Sequence, residues 1–336
     1  MIGWGTGYGT LLLFGEHAAV HGYPAVGMAL PMTTGVWLGG KPHQRCHPEA
    51  QDFPVGDWTI HGLPPQHHPP FTDFWRCFLS LMPPAFHQTI ARAPENRQAW
   101  IASDVPFAMG FGSSGALSAA LAQAGMRLIG TEPSSSWLWA TANKLEAVFH
   151  GTPSGIDTGL AVNGGCQAFH FPGIGNSSSQ LPERTALPSI QIPLLIGAVP
   201  RTASTKQLID RVKTRLQHDP AGTSSLLEQL GSCSQRIIEA AGNTTLAPEL
   251  LADQANTAQK LLAEIGVSSP ILNTLFAELA TIGALGAKLS GAGGGGAFFA
   301  VFRNAVELER AAEQLRPVLN KLCPEGLWYL HALLPQ

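Results

Sequence analysis

Residues 107–121 read FAMGFGSSGALSAAL, and this stretch decides how the rest of the chain is interpreted. Three glycines and two serines fall within the seven residues from Met109 to Gly115, and an alanine- and leucine-rich run follows directly. A glycine-rich turn that leads into a helix presents unbonded N–H groups and the positive end of the helix dipole. The stretch therefore predicts an anion site, with phosphate as the usual occupant, at the start of a helix over residues 114–129.

The small residues of this loop have distinct expected uses. Gly110, Gly112 and Gly115 would let the backbone approach phosphate groups, while Ser113 and Ser114 would add hydroxyl groups, one of them able to ligate Mg²⁺. The spacing is not GxxxxGK[ST], so the loop is not a Walker A motif. A flexible loop with a serine helix cap is the alternative interpretation.

A second glycine-rich stretch, KLSGAGGGGAFFAVF, occupies residues 288–302. Five of the six residues 291–296 are glycine, and a very apolar segment follows them. A flexible connector rarely leads directly into such a segment and is usually richer in serine. The pattern favours a close approach of the backbone to a ligand or to the first glycine loop, followed by a buried strand.

A pair of acidic residues lies in residues 144–160, KLEAVFHGTPSGIDTGL. Glu146 is predicted on a helix over residues 134–150, and Asp157 on a glycine-bounded loop. Two carboxylates placed in this way can converge on one metal ion or one proton. The alternative is that both are ordinary solvated surface groups.

Composition narrows the classes of function. Among 336 residues only 13% are charged and the net charge is −3, which argues against a broad electrostatic surface for nucleic acid or an anionic membrane. The five cysteines are widely spaced without a CxxC pair, which is typical of reduced thiols in the cytoplasm. The sequence contains neither a signal-peptide pattern nor an apolar run of about 18 residues. A cytoplasmic protein with a small-molecule partner is expected.

The order of strand-like and helix-like segments predicts an α+β or α/β protein of two domains without internal repeats. Residues 41–70 are rich in Pro, His and Gln and are expected to form a long excursion with at most short strands. Residues 172–188 are rich in Ser, Pro, Gly and Asn and are expected to form a linker or a surface loop.

Four segments taken in order resemble the motifs of the GHMP kinase superfamily and, within it, its mevalonate kinase branch. They are LLLFGEHAAVHGYPAV, MGFGSSGAL, EAVFHGTPSGID and KLSGAGGGG, and VPRTASTKQLIDRV at residues 199–212 is similar to the same branch. The resemblance implies the two-domain α+β fold of these kinases. Residues 1–185 would form a ribosomal-S5-like α/β domain and residues 186–336 a ferredoxin-like α+β domain. It is also consistent with a homodimer.

The resemblance implies phosphorylation of a small-molecule hydroxyl group by ATP and Mg²⁺, with mevalonate as the first candidate substrate. Asp157 would be the base or orienter of the acceptor hydroxyl, and Ser114 and Glu146 would hold Mg²⁺. The implied nucleotide contacts lie in the two glycine-rich stretches and are Gly110, Gly112, Ser113, Ser114, Gly115, Lys288, Gly291, Gly293 and Gly294. In the acceptor pocket, the resemblance places Glu16, His17 and Thr205.

One catalytic position departs from the family pattern. These kinases usually read PGKxxLxGEH, whereas this chain reads GYGTLLLFGEH, with Tyr8 in place of the proline and Thr10 in place of the lysine. The family lysine is thought to pair with the catalytic aspartate, and Thr10 carries no charge. Three outcomes stay open: a different acceptor such as a sugar, an ATP-binding protein without turnover, or a replacement cation. The candidate cations are Lys144, Arg201 and Lys206.

Overall fold

The computed structural model describes residues 2–40, 51–63, 68–172, 180–243, 246–325 and 328–333. The chain divides into two compact units, one of Met1–Thr10 with Ala29–Gly164 and the other of Leu11–Met28 with Gly165–Gln336. The strands are β1 (Gly3–Phe14), β2 (Ala25–Leu38), β3 (Gln51–Val55), β4 (Trp58–Leu63), β5 (Gln98–Ser103), β6 (Cys166–His170), β7 (Glu183–Leu187), β8 (Leu194–Val199), β9 (Gly286–Leu289), β10 (Gly296–Val301) and β11 (Tyr329–Leu333).

The helices of the described residues come in groups between the strands: two between β4 and β5, three between β5 and β6, four between β8 and β9, and one between β10 and β11. They are α1 (His68–Leu81), α2 (Pro84–Arg92), α3 (Ser113–Leu128), α4 (Ser135–His150), α5 (Ile156–Asn163), α6 (Thr205–His218), α7 (Pro220–Asn243), α8 (Pro248–Ile265), α9 (Pro270–Thr281) and α10 (Ala305–Leu322). None of the helices in the described ranges is long and apolar enough to cross a membrane.

Alternating glycines of β1 let this strand lie directly on α3 in the first unit. A Cβ atom on Gly3, Gly5 or Gly7 would overlap a backbone carbonyl oxygen of the helix, each one turn from the next along α3. Two residues of a strand advance about 6.6 Å and four residues of a helix about 6.0 Å, so the two repeats match. The glycine alternation therefore fixes β1 against the helix whose first turn belongs to the glycine loop.

The core of the first unit is aromatic and lies around α1 and the strands β4 and β5. Trp58 and Trp75 meet edge to face with ring centroids 5.1 Å apart, and Trp58 also stacks on Phe86. Strand β4 pairs with β5 in parallel, β5 pairs antiparallel with the second half of β2, and β3 with β4 forms a hairpin. Burial of these large rings stabilises this unit.

The second unit contains a four-stranded antiparallel sheet in the order β11-β8-β10-β9. When these four strands are numbered in chain order, the order across the sheet is 4-1-3-2, and α10 lies between the third and fourth strands. This arrangement confirms the prediction of a ferredoxin-like domain. Every residue of β8 and β10 is buried. In the same unit the first four residues of β2 pair with β6, and β6 pairs with β7.

Several local predictions are confirmed. The helix predicted to begin after the serine cluster starts as α4, with Ser134 Oγ accepting from Trp137 N. The spacing of Phe, Trp and Leu over residues 71–90 predicts a helical segment interrupted by Pro83 and Pro84, and the structure has two helices there, because Pro84 opens α2 after Leu81 closes α1.

Other local predictions were wrong. Asp157 lies in the first turn of the short helix α5 rather than on a loop, because Gly155 in a left-handed conformation starts the helix and packing buries most of it. The sequence predicts two strand-like pieces, residues 22–30 and 33–40, but one strand, β2, runs through both. It also predicts a helix over residues 270–285, but that helix ends at Thr281 and β9 follows it.

Two proposed irregular regions lie partly outside the described residues. Residues 41–50 and 64–67 of the excursion are not described, and the rest contains the β3–β4 hairpin and the start of α1, consistent with short strands. Residues 173–179 of the proposed linker are also not described. The end of that linker is a strand, β7, because its backbone pairs with β6 from Glu183 to Leu187.

Candidate active site

In the first unit, Thr10 lies in the interior of β1 and contacts Asp157. The Thr10 hydroxyl donates a 2.6 Å hydrogen bond to Asp157 Oδ1, and the Thr10 side chain is almost fully buried. A charge-assisted O–H···O⁻ bond of this length is among the stronger side-chain hydrogen bonds. Thr10 therefore orients the carboxylate by hydrogen bonding without supplying a positive charge.

The glycine loop is held against this same pair. Thr10 N donates to Phe111 O at 2.9 Å, and Gly112, with φ of 65°, lies so close that a Cβ atom there would overlap the Thr10 hydroxyl. A Cβ atom on Gly115 would lie 3.4 Å from Asp157 Cβ. The first turn of α3 and the Asp157 carboxylate are thus adjacent.

The N-terminus of α3 has no side-chain cap among the described residues. The first intrahelical bond runs from Ala116 N to Gly112 O, so the amide groups of Ser113, Ser114 and Gly115 precede the regular ladder. The Ser113 hydroxyl accepts from Ala108 N at 3.4 Å, which helps to close the loop. This loop geometry suits an anion at the helix N-terminus.

Ser114 and Glu146 form the second pair of the first unit. Ser114 Oγ donates to Glu146 Oε1 at 2.7 Å, and Glu146 is 3% exposed on α4. Its second oxygen, Oε2, is buried and has no hydrogen-bond partner among the described residues. Burial, reinforced by the Asp157 charge and opposed by the Ser114 hydrogen bond, raises the pKa of Glu146 to about 8.

His150 borders this pair and was not singled out by the sequence motifs. Its Nε2 lies 3.3 Å from Glu146 Oε1 and 3.3 Å from Ser114 Oγ. The signal was present, since His150 follows Glu146 by four residues on one helix and shares its face. Within the described ranges, no three His, Cys, Asp or Glu side chains group to hold a metal ion, so any cation site here has to include the serine.

Two further contacts fix the segment that carries Asp157. Trp139 Nε1 donates to Gly155 O at 2.9 Å, and Thr158 Oγ1 donates to Asn143 Oδ1 at 3.1 Å. The two α4 residues that make these bonds, Trp139 and Asn143, lie one helical turn apart. They tie the start of α5 to the helix that carries Glu146, so the two acidic side chains have a defined spacing.

In the second unit, Glu16 and Lys288 form a fully buried ion pair. Lys288 Nζ donates to Glu16 Oε1 at 2.5 Å and to the carbonyl oxygens of Leu13 and Leu289. Burial raises the pKa of the Glu16 carboxyl and lowers the pKa of the Lys288 ammonium, and their mutual attraction opposes both shifts.

The role expected of Lys288 as a phosphate contact needs correction. Its three N–H donors have three acceptors, and its side chain is 0% exposed, so it has no donor left for a phosphate group. In this structure Lys288 holds Glu16 instead. No local pattern in the sequence indicates this pairing, because the two residues are 272 positions apart.

His17 lies next to Glu16 in a left-handed backbone conformation, with φ of 57°. Its Nε2 is 3.0 Å from Ala292 O of the second glycine stretch, and burial lowers the pKa of the imidazole. A non-glycine residue in this region is uncommon and stores strain that the surroundings must offset. The contact brings His17 to the glycine run, as a residue of a binding pocket would require.

Thr205 begins α6, and the same glycine run packs against the segment before it. Thr202 N and Oγ1 both contact Gly294 O, at 2.6 and 3.0 Å, and Arg201 reaches Thr205 Oγ1 at 3.3 Å. Ser204 and Gln207 form a capping box at the start of the helix. Thr205 therefore lies in the part of the second unit that contains the glycine run.

Of the proposed replacement cations, Lys144 is exposed on α4 two residues before Glu146. Residues two positions apart on a helix lie on different faces, so the side chains of Lys144 and Glu146 point in different directions. Arg201 and Lys206 are exposed in the second unit near Thr205. Within the first unit, none of the described hydrogen bonds or ion pairs joins Lys144 to Asp157.

Two family models match separate parts of the chain. The model described as the GHMP kinases N terminal domain matches residues 80–165, and the model described as GHMP kinases C terminal matches residues 237–321. The first range includes α3, Glu146 and Asp157, and the second includes Lys288 and the second glycine stretch.

Similar proteins cover nearly the whole chain. The mevalonate kinase of Thermococcus sibiricus is 28% identical over 331 residues, covering 94% of this chain and 95% of that protein. The mevalonate kinase of Thermococcus onnurineus is 29% identical over 333 residues, with the same coverage. A crystal structure of L. major mevalonate kinase in complex with R-mevalonate matches with a TM-score of 0.73 at 22% identity, covering 99% of this chain and 96% of that one. This structural likeness shows a shared fold.

Proposed function

Since the chain belongs to the GHMP kinase family of ATP-dependent small-molecule kinases, we propose that it phosphorylates a hydroxyl group of mevalonate. Relatives named mevalonate kinase match 94% of its length, which supports this substrate over other hydroxyl compounds. In the reaction the bond between the γ-phosphorus of ATP and the ADP oxygen breaks. A bond from that phosphorus to the acceptor oxygen forms, and the acceptor hydroxyl loses its proton.

One observation carries the proposal: the Asp157 carboxylate lies beside the first turn of α3 and is held there by Thr10. Phosphoryl transfer needs an anion cradle for the nucleotide and a group that orients the acceptor hydroxyl, and it needs them close together. In the proposal Asp157 accepts the hydroxyl proton, and Thr10 aims the carboxylate toward it. These two roles make Asp157 and Thr10 the catalytic residues.

The glycine loop and the N-terminus of α3 bind the ATP phosphates in this proposal. The open amide groups at the start of the helix favour an anion, and Gly112 lets the backbone approach it. The residues assigned to the nucleotide are Gly110, Gly112, Ser113, Ser114 and Gly115, with Gly291, Gly293 and Gly294 of the second glycine run.

Mg²⁺ suits the Ser114–Glu146 pair. A hard divalent cation prefers oxygen ligands, and Glu146 offers a buried carboxylate whose Oε2 has no partner among the described residues. A bound cation at Ser114 and Glu146 would neutralise charge on the transferring phosphoryl group. Ser114 and Glu146 would hold it by their side-chain oxygens.

The acceptor pocket is assigned to Glu16, His17 and Thr205 of the second unit. Lys288 enters the proposal as a positioning residue, since it holds Glu16 through a buried ion pair. Burial lowers the pKa of the His17 imidazole. Since its Nε2–H donates to Ala292 O, its Nδ1 is left to accept a hydrogen bond from a hydroxyl group.

The test is ADP release from purified protein with ATP and Mg²⁺ against mevalonate, phosphomevalonate, homoserine, galactose and no acceptor. We expect strong release with mevalonate only. Asp157→Asn should lower kcat by at least about 10²-fold while leaving binding of a non-hydrolysable ATP analogue unchanged. Asp73→Asn, at an exposed surface position, is the matched control and should change neither.

Other results of this assay point to the other candidates. ADP release with a different acceptor would indicate the same phosphoryl-transfer mechanism with another substrate. Nucleotide binding without any ADP release would indicate a protein that binds ATP without turnover. The absence of a lysine at position 10 is the observation that keeps these candidates in the panel. The division at residues 185 and 186, cytoplasmic location and a homodimer stay predictions from the sequence.

A further inference from the structure

Three donor atoms form a small triangle beside the first turn of α3. Ser114 Oγ and Glu146 Oε1 are 2.7 Å apart, and His150 Nε2 is 3.3 Å from each of them. The triangle contains one hydroxyl oxygen, one carboxylate oxygen and one imidazole nitrogen. Only the first two donors belong to the cation site proposed above.

These spacings match neighbouring ligands of a six-coordinate divalent cation. With metal–ligand distances of about 2.1 Å, two adjacent ligands of an octahedron are about 3.0 Å apart. The edge between Ser114 Oγ and Glu146 Oε1 is shorter than this value, and the two edges that meet at His150 Nε2 are longer. The donors could therefore occupy one face of a coordination octahedron with small adjustments, and the opposite face would be left for phosphate oxygens and water.

The environment of the triangle also suits a cation. Glu146 is 3% exposed, and its Oε2 is buried without a hydrogen-bond partner among the described residues, so the carboxyl group has unused capacity to accept. The side chain of His150 is 46% exposed in the last turn of α4, so the triangle is open on the histidine side. A cation could enter from there.

We propose that His150 is a third ligand of this cation site and that its imidazole makes the site bind Mn²⁺ or Co²⁺ in preference to Mg²⁺. Magnesium prefers oxygen ligands and accepts nitrogen poorly, whereas affinity for imidazole rises from Mn²⁺ to Co²⁺. The inference rests on the proposed cation role of Ser114 and Glu146. It adds a ligand that determines which metal is selected.

The first experiment is a titration of the nucleotide-free protein with Mn²⁺, followed by electron paramagnetic resonance, with Mg²⁺ as the competitor. His150→Ala should weaken Mn²⁺ binding by about tenfold or more and change Mg²⁺ binding by less than about twofold. His87→Ala removes another exposed helical histidine and should change neither affinity. His150→Gln repeats the test with a larger side chain, and circular dichroism verifies folding of each variant.

The second experiment detects the nitrogen ligand directly. Pulsed electron paramagnetic resonance of the bound Mn²⁺ should show a coupling to a ¹⁴N nucleus. The coupling should be replaced by a ¹⁵N coupling in protein labelled with ¹⁵N-histidine, and it should disappear in His150→Ala. Leaving out the nucleotide avoids the nitrogens of the adenine ring. This readout separates coordination by His150 from a role in which it only supports Glu146 by hydrogen bonding.

Two results would overturn the inference. Mn²⁺ that binds the wild-type protein without histidine coupling, or equal weakening of Mn²⁺ and Mg²⁺ in His150→Ala, excludes His150 as a ligand but leaves the proposed kinase intact. Glu146→Gln distinguishes a failure of the cation site itself, because it should abolish binding of both metals. If the wild-type protein binds neither, the cation assignment and this inference fail together.

Discussion

The Thr10 hydroxyl donates a 2.6 Å hydrogen bond to the Asp157 carboxylate across 147 positions of sequence. At the position where the motif of the resembling family has a lysine, a neutral donor makes the contact to the proposed base. The alignment of the carboxylate is preserved, but the positive charge is not. Any charge that the transferring phosphoryl group needs must come from the helix N-terminus, a bound cation or another part of the chain.

Removing this hydrogen bond should lower turnover. Thr10→Val keeps the shape of the side chain but not the donor, so kcat should fall by about 10- to 100-fold, the usual value of a hydrogen bond to a charged group. Thr10→Ser keeps the donor and should retain most of the activity. The prediction is checked by steady-state kinetics of both variants, with nucleotide binding measured in parallel. A wild-type kcat in Thr10→Val would show that the Thr10–Asp157 hydrogen bond does not contribute to turnover.

Gly112 should be intolerant of a side chain because of its contact with Thr10. Gly112→Ala forces a methyl group onto the Thr10 hydroxyl, so kcat should fall at least tenfold as the Thr10–Asp157 bond is displaced. Gly130→Ala is a matched control, since Gly130 also has a positive φ, of 73°, but has open space around it.

Backbone strain should cost Gly112→Ala and Gly130→Ala about 1 kcal/mol of stability each, and Gly112→Ala should lose more because its methyl group overlaps the Thr10 hydroxyl. Only Gly112→Ala should lose activity. Thermal denaturation and kcat, measured on the same preparations, separate the two effects, and equal activity of both variants would contradict the steric explanation.

The raised pKa of Glu146 should make the stability of the metal-free protein depend on pH. Below about pH 4.5 this carboxyl is protonated in the folded and unfolded chain, and between 4.5 and about 8 only the folded chain keeps the proton. The free energy of unfolding should therefore fall as pH rises toward 8, by at most about 1.4 kcal/mol per pH unit.

Glu146→Gln has no such proton to lose. The difference in unfolding free energy between wild type and Glu146→Gln should shift in favour of the variant from pH 6 to pH 8, measured by urea denaturation in a chelator. Glu313→Gln, exposed on α10, should show no such trend. A difference that stays constant with pH would mean that Glu146 is already ionised near neutrality.

Breaking the buried ion pair from one side should destabilise the protein strongly. Lys288→Met leaves the Glu16 carboxyl buried without its partner and should lower the free energy of unfolding by about 3–5 kcal/mol. Adding Glu16→Gln should recover a large part of this loss, because the remaining buried group is then uncharged. Arg76→Ala, which breaks an exposed ion pair, should change stability by less than about 0.5 kcal/mol.

The same double variant separates stability from substrate binding. If Glu16 lines the acceptor pocket, the recovered double variant should still show a raised KM for mevalonate and a nearly unchanged KM for ATP. Recovery of both stability and KM would assign the pair a structural role alone.

Much of the candidate site could be predicted from the sequence because it is encoded in short local patterns. The glycine loop before α3, the serine cap of α4 and the position of Glu146 on a helix all follow from residues within one or two turns of each other. The short helix α5 was missed, because its glycine-bounded sequence has weak helical propensity and packing overrides it.

The sequence by itself determined the fold class, the two glycine-rich stretches and the identity of the acidic pair. The tertiary structure alone decided that Thr10 holds Asp157, that Lys288 is fully occupied by Glu16 and two carbonyl oxygens, and that His150 borders the Ser114–Glu146 pair. The physical reason is that the two kinds of interaction act over different distances along the sequence. Helical and turn propensities act over a few residues, whereas a hydrogen bond between side chains far apart in sequence exists only after packing has closed the loop between them.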